Sequence, residues 1–297
     1  MSSTSKNMAI DFREPSVMTV ELAGRPVDVL RLDEIHPVVS GNKWYKLKSY
    51  IQYIQTHSLK GFITFGGAYS NHLHAAAMAA RAYGLHPIAV IRGREFADRL
   101  NDTLLACSAE GMELQFVDRS VYDRKENDVF LEELRKAYPG YYIIPEGGSG
   151  FLGRQGVAEI CKYILPSYTH ILLSAGSGTT LRGIRDTIPE DRQVLGFAPM
   201  KKGAYLNEVL QCRKGNWKIT DDYHFGGFGK HTPDLIDYMN RLFCQQGLPT
   251  DRVYTAKMFR GIEDLISKGY FDGSARLLAL HTGGLQGNHT LKGQLEF

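Results

Sequence analysis

Gly61-Phe62-Ile63-Thr64-Phe65-Gly66-Gly67-Ala68-Tyr69-Ser70-Asn71-His72-Leu73 passes from a short apolar run, through a glycine turn, into the mouth of a helix. Phe62 to Phe65 has the length of a buried strand, Gly66 and Gly67 interrupt it, and the alanine-rich stretch from Leu73 to Tyr83 repeats at helical spacing. His86 to Ile91 is a second apolar run, so the order is strand, helix, strand. The period recurs downstream, with strands at Met112 to Val117 and Tyr141 to Ile144 and helices at Asp98 to Glu110 and Asn127 to Tyr138. Strands joined this way are parallel, which makes the fold α/β.

Upstream, Val17 to Leu22 and Val27 to Leu32 form a hairpin around Ala23-Gly24-Arg25-Pro26. Ser40-Gly41-Asn42 is cap and turn chemistry, and Trp44, Leu47, Ile51 and Ile54 then follow helical spacing, so Lys43 opens a helix. Downstream, a glycine-rich seam at Glu146-Gly147-Gly148-Ser149-Gly150 reads as a crossing between lobes. Helices at Gln155 to Ile164, from Thr179, at Pro233 to Gln246 and at Lys257 to Lys268 alternate with strands at His170 to Ser174, Gln193 to Phe197 and Leu277 to Leu280. Lys214 to His231, rich in glycine and aromatics, follows neither period.

At 297 residues the chain can bury enough surface for two lobes. A net charge of +3, with no basic run interleaved with aromatics, argues against nucleic acid. Cys107, Cys161, Cys212 and Cys244 are scattered, which suits a reducing compartment and offers no metal-ligand spacing. Met1 to Asn7 lacks the pattern of a signal peptide, and no apolar run approaches the ~20 residues of a membrane span, so the expectation is a cytoplasmic protein with no membrane partner.

Ligands of open parallel sheets lie beyond the carboxyl ends of the strands. Three such junctions stand out. At the first, Ser70 and Asn71 offer a hydroxyl and an amide; one of them is the helix cap and the other is left over. His72 and His74 point to different helix faces, so no metal is expected. At the second, Ser174-Ala175-Gly176-Ser177-Gly178-Thr179-Thr180 leaves N–H groups and hydroxyls at a helix mouth, a cup for a phosphomonoester. No lysine follows the glycines as in a Walker loop, and Leu181 stands where a dinucleotide fingerprint needs its third glycine. The third, Leu280-His281-Thr282-Gly283-Gly284-Leu285, reads on its own as a strand end. A cation is usually placed at the other end of a helix, so the first-turn position disfavours the ammonium form of Lys43, as imine chemistry with an aldehyde requires. On that stretch alone, a solvated lysine beside Lys46 and Lys48 is the plainer reading. An imine-forming lysine together with a phosphate cup points to pyridoxal 5'-phosphate, which carries both an aldehyde and a phosphomonoester.

The set Gly41-Asn42-Lys43 with Lys46-Leu47, Gly66-Gly67-x-x-Ser70-Asn71-His72, Ile144-Pro145-Glu146-Gly147-Gly148-Ser149, the 174–180 loop, Val253-Tyr254-Thr255-x-Lys257 and His281-Thr282-Gly283-Gly284 resembles the 1-aminocyclopropane-1-carboxylate deaminase and D-cysteine desulfhydrase family of pyridoxal phosphate enzymes. The resemblance runs from about Arg31 to Gly284 and implies the fold of the tryptophan synthase β subunit (fold type II). That means a discontinuous large lobe, residues 1–51 and 147–297, and a small lobe, residues 52–146, with the cofactor between them. It implies Lys43 as the Schiff-base lysine and Asn71 as partner of the cofactor's phenolic oxygen. Ser70 would lie near the substrate carboxylate, with His72 beside it in the substrate site. Ala175, Gly176, Ser177, Gly178, Thr179 and Thr180 would hold the phosphate, and Tyr254 would face ring and substrate. It also leans towards a homodimer.

Two departures bear on the reaction. The ring-opening deaminases carry a glutamate after the tyrosine of the Val-Tyr motif, where this chain has Thr255. A hydroxyl can donate to a neutral pyridine nitrogen but supplies no counter-charge, so elimination of a good leaving group is expected over cyclopropane opening. Phe228 stands where the family usually has a second active-site tyrosine, which leaves the substrate open. The expected activity is a carbon–sulfur lyase acting on a small amino acid such as D-cysteine. The deaminase, a β-replacing synthase of the same fold, or a phosphate-binding module without catalysis remain alternatives.

Overall fold

The computed structural model describes residues 10–210, 212 and 215–297; Met1 to Asn7 and Lys214 lie outside the described residues. The chain divides into two compact units, one of residues up to Phe12 together with Lys43–Gly153, the other of Arg13–Asn42 and Arg154–Phe297. The breaks fall before Lys43 and after Gly153, where the sequence led us to expect 51/52 and 146/147. The contacts of the first helix, α1 (Gly41–Thr56), account for the shift. From Lys43 onward it packs within the first unit: the Tyr50 and Tyr53 rings lie 5.7 and 5.0 Å from that of Tyr142, and the Tyr50 hydroxyl donates to the Ser149 carbonyl.

The first unit holds a parallel four-stranded sheet in the order β5 (Glu113–Val117), β4 (His86–Arg92), β3 (Gly61–Gly67), β6 (Tyr141–Ile144). Ile63 pairs with Ile88 on one side and Ile143 on the other. From Gly61 to Gly66 β3 is buried at every position, as a parallel strand covered on both faces must be. Helices α2 (Asn71–Ala82), α3 (Asp102–Ala109), α4 (Arg119–Tyr122) and α5 (Asp128–Ala137) cross over between the strands, and Ile63, Phe65, Ile88, Val90, Phe130 and Leu134 share a core. Helix α3 starts at Asp102, later than the expected Asp98, because Asn101 caps it by accepting from Leu104 N at 2.9 Å.

The second unit has six strands in the order β1 (Ser16–Leu22), β2 (Arg25–Arg31), β10 (Leu277–His281), β7 (His170–Ser174), β8 (Gln193–Phe197), β9 (Trp217–Thr220). The hairpin β1–β2 is antiparallel and every other pairing is parallel. Helices α7 (Thr179–Thr187), α8 (Leu206–Val209), α9 (Pro233–Gln246) and α10 (Thr255–Ser267) belong to this unit. The helix α6 (Phe151–Ala158) starts four residues before the expected Gln155 and gives way to a tighter turn at Glu159–Tyr163. Pro166 ends the run, since the residue before a proline is pushed out of helical backbone.

In each sheet the chain winds outward one way and then returns to the other side of its starting strand. The return places β6 beside β3 and β10 beside β7, so each sheet has its switch point at the carboxyl end of the strand that leads into α2 or α7. Those are the two loops that the sequence singles out.

Candidate active site

In the first unit Ser70 is the cap and Asn71 the first helical residue. Ser70 Oγ accepts from Leu73 N at 3.4 Å, and its own proton remains to donate. His72, two per cent exposed, turns inward. Thr64 has one hydroxyl proton and gives it to the Ile144 carbonyl at 3.0 Å. The 2.8 Å contact between Thr64 Oγ1 and His72 Nε2 therefore has the imidazole as donor, which leaves Nδ1 a bare lone pair, buried and unpartnered. Burial, then the charges of Lys43 and Lys46, hold His72 down to about 3, so the ring is neutral. Lys46, one helical turn after Lys43, is buried, and burial first and Lys43 second push its ammonium well below the usual lysine range. Lys43 itself is half-buried. Burial thus favours neutral nitrogen on Lys46 and His72, beside Lys43 at the mouth of α1.

In the second unit the loop after β7 is open where the loop after β3 is closed. Gly178, at φ +74°, precedes α7 and no side chain caps the helix, so the positive end of its dipole meets the loop without a counter-group. Ser177 Oγ and Thr179 Oγ1 lie 2.9 Å apart, and Ser174 Oγ beneath them is buried with no partner. Ala175 does not serve as a donor in this cup: its N–H is spent on the Phe197 carbonyl at 2.9 Å, so the usable N–H groups begin at Gly176. An uncapped helix, glycines and an orphaned hydroxyl are a donor set that fits a phosphomonoester.

The cup is braced from α1. Asn42 Nδ2 donates to Thr180 Oγ1 at 2.9 Å, and Asn42 N donates to the Thr282 carbonyl at 3.3 Å. Gly41, at φ +63°, has to be glycine, because a Cβ there would stand 1.9 Å from the Thr282 oxygen. The third junction therefore receives Gly41 and Asn42 within the second unit and is more than a strand end. It is fixed by His281, which donates to Asp33 Oδ1 at 3.0 Å and to the Pro249 carbonyl at 2.9 Å. Asp33, held far below the usual carboxylate range by His281 and Arg31 against the penalty of burial, was not foreseen in the sequence.

Tyr254 lies over the cup: its Cε1 is 3.2 Å from where a Cβ on Gly176 would stand. Phe228, exposed, meets Tyr254 edge to face with ring centres 5.8 Å apart. The role expected of Thr255 changes. Its hydroxyl donates to Asp251 Oδ1 and accepts from Asp251 N, both at 2.8 Å, so the proton expected to reach a pyridine nitrogen is already committed and only a lone pair is left. Asp251, buried, also accepts from the N–H groups of Val253, Tyr254 and Thr255. The sequence does display an acidic residue four positions before a threonine at a helix start, a spacing that lets its carboxylate turn back onto the N–H groups of the entry turn. Among the described residues no His, Cys, Asp or Glu group could hold a metal, and no helix is long and apolar enough to cross a membrane.

A family model described as pyridoxal-phosphate dependent enzyme matches residues 21–283. A Pyrococcus horikoshii protein provisionally named 1-aminocyclopropane-1-carboxylate deaminase is 29% identical over 89% of this chain and 86% of its own length. A D-cysteine desulfhydrase from Salmonella newport is 26% identical over 88% of this chain and 87% of its own. The crystal structure of a homologue of 1-aminocyclopropane-1-carboxylate deaminase superposes with a TM-score of 0.78 at 26% identity, over 95% of this chain and 93% of that one.

Proposed function

Because the chain belongs to the pyridoxal-phosphate dependent enzymes, we propose that it eliminates a leaving group from the β-carbon of a small amino acid, D-cysteine first, to give pyruvate, ammonia and sulfide. The observation that carries this reading is the 2.9 Å bond from Asn42 Nδ2 to Thr180 Oγ1, which ties the residue preceding Lys43 to the first turn of α7.

Bound pyridoxal phosphate supplies an aldehyde for an amine and a ring that draws electrons from Cα. Lys43 would hold the cofactor's aldehyde and, as a free amine, would take the substrate's Cα proton as general base. Lys46 and His72, both held neutral by burial, add no charge beside that amine. Ser70 donates to the substrate carboxylate with the proton its cap role leaves over, Asn71 meets the phenolic oxygen, and His72 Nδ1 accepts from whatever donor reaches it. Gly176 to Thr180 would hold the phosphate, Thr255 would accept from the ring nitrogen when that nitrogen carries a proton, and Tyr254 would cover the reacting face. The Cβ–S electron pair leaves on sulfur, which picks up a proton, and the released enamine takes up water to give pyruvate and ammonia.

One observation favours a second reading, opening of the cyclopropane amino acid. Thr255 is hydrogen-bonded to the Asp251 carboxylate, which would strengthen the electron sink beyond what a lone hydroxyl offers if Thr255 meets the ring nitrogen. Assays for sulfide and for the 2-oxo acid released, pyruvate from D-cysteine, L-cysteine and β-chloro-D-alanine and 2-oxobutanoate from the cyclopropane amino acid, decide between them. Turnover of D-cysteine or β-chloro-D-alanine supports elimination; turnover of the cyclopropane alone overturns it. On the same reading the enzyme works in the cytoplasm, in keeping with four cysteines that form no disulfide, and as a homodimer, which light scattering on the holoprotein checks.

A further inference from the structure

Lys257 belongs to the motif that carries Tyr254, yet the chemistry above leaves it without a task. It sits in the first turn of α10, one per cent exposed. Its Nζ donates to three carbonyls: Pro199 at 3.2 Å, His224 at 2.8 Å and Gly227 at 2.9 Å. An ammonium has three protons and no lone pair, so three carbonyls saturate it. Burial pushes it down to about 8, with Asp251 opposing the shift and Arg252 adding to it. Keeping the charge there has a cost, and the carbonyls are what offset it.

The three oxygens come from places that no regular element would bring together. Pro199 follows β8, while His224 and Gly227 lie in a turn where Phe225, Gly226, Gly227 and Gly229 have φ of +47°, +91°, +121° and +70°. Such backbone pairs no carbonyl in a ladder, and the one bond that each of His224 and Gly227 accepts within the turn leaves a lone pair for a donor from elsewhere. Within the turn, Gly226 N donates to His224 Nδ1 and Lys230 N to the Gly227 carbonyl, and Gly227 N donates to the His224 carbonyl. The residue after Gly227 is Phe228, whose ring lies against Tyr254, and Tyr254 lies over Gly176 of the cup.

We propose that Lys257 is a positioning residue, a built-in monovalent cation that folds the 224–229 turn around its ammonium and thereby holds Phe228 against Tyr254 as the side wall of the cup. The functional half of this rests on reading the cup as the cofactor and substrate site; the structural half does not. Lys257→Met keeps the stem and removes all three donors. Lys257→Ala leaves the three carbonyls and a slot of the size of n-propylammonium, which can be added back.

The test reads trypsin cleavage after Lys230, which is exposed in the same turn. Cleavage is expected about tenfold or more faster in Lys257→Met than in wild type, and n-propylammonium is expected to slow cleavage of Lys257→Ala saturably towards the wild-type rate while tetramethylammonium does not. In the holoenzyme, Lys257→Met is expected to raise KM for the amino acid about tenfold with kcat little changed and the near-visible band of the bound cofactor retained. Unchanged cleavage in Lys257→Met, or no rescue of Lys257→Ala by the amine, overturns the proposal. If Lys257→Met fails to fold, Lys257→Ala prepared with n-propylammonium decides: folding that depends on the amine supports the built-in cation, and failure with and without it makes Lys257 a core residue only. A wild-type protein that takes up no pyridoxal phosphate refutes the reading of the site, and cleavage after Lys230 still judges the turn.

Discussion

The two sheets are wound alike, and each sends its switch-point strand into a helix through a short loop, yet the two helix mouths are opposites. Ser70 closes α2 with its side chain, whereas Gly178 leaves α7 open. A closed mouth satisfies its own N–H groups and leaves the side chains beside it, Asn71 and the spare Ser70 proton, for a ligand. An open mouth keeps the N–H groups and the dipole for an anion. On the proposed reading the same topology would serve two purposes, recognition by side chains in one unit and of phosphate by backbone in the other, and the difference comes down to one residue at each cap.

That contrast can be broken in several places. The largest effect is expected at Lys43, where Lys43→Ala should lower kcat by about a thousandfold, because it removes both the attachment point and the general base. Steady-state assays check this.

Acid should then separate the units. His72 has an ordinary pKa near 6.5 in the unfolded chain and about 3 in the folded one, so between those values the unfolded chain binds more protons. Its contribution to stability is present above pH 6.5 and is lost as pH falls towards 3, by about 1.4 kcal/mol per unit over the window. Urea melts of wild type against His72→Asn across that range should differ in slope, the variant lacking this term.

A smaller loss is expected from Thr180→Val. It breaks the bond from Asn42 and takes a hydroxyl from the open mouth, and should weaken pyridoxal phosphate binding about tenfold by titration. Smallest is a pair at the closed mouth. Ser70→Ala should cost about 1 kcal/mol of stability and Ser70→Gly only a few tenths, while both lose the same activity. Equal stability losses would mean that the cap, and with it the contrast between the mouths, is misread.

The strands were readable because they are short apolar runs with clean ends: Tyr141–Ile144, His170–Ser174 and Gln193–Phe197 stand where the pattern puts them. The helix opened by Pro233 was equally plain, since proline in the first turn and a capping Thr232 mark its start. The segment ending at His231 had no period to find. Its turn is built from left-handed backbone and held by a lysine some thirty positions downstream, and no local pattern encodes such a contact. The Thr255 hydroxyl was visible, but the direction of its proton was not, because that depends on Asp251 folding back as a cap. The Ala175 N–H likewise looks free for the cup in the sequence, whereas the Phe197 carbonyl takes it. What sequence missed in both cases is which donors secondary structure had already used.

The central claim is that Lys43, and no neighbouring lysine, carries the aldehyde. Borohydride reduction of the holoprotein followed by peptide mass mapping tests it most directly, since Lys46 and Lys48 lie in the same helix turn and would be told apart by fragmentation. The account predicts a single pyridoxyl-phosphate adduct on Lys43 with loss of the near-visible band. An adduct on Lys46 or Lys257, or none with the band absent from the start, would contradict it.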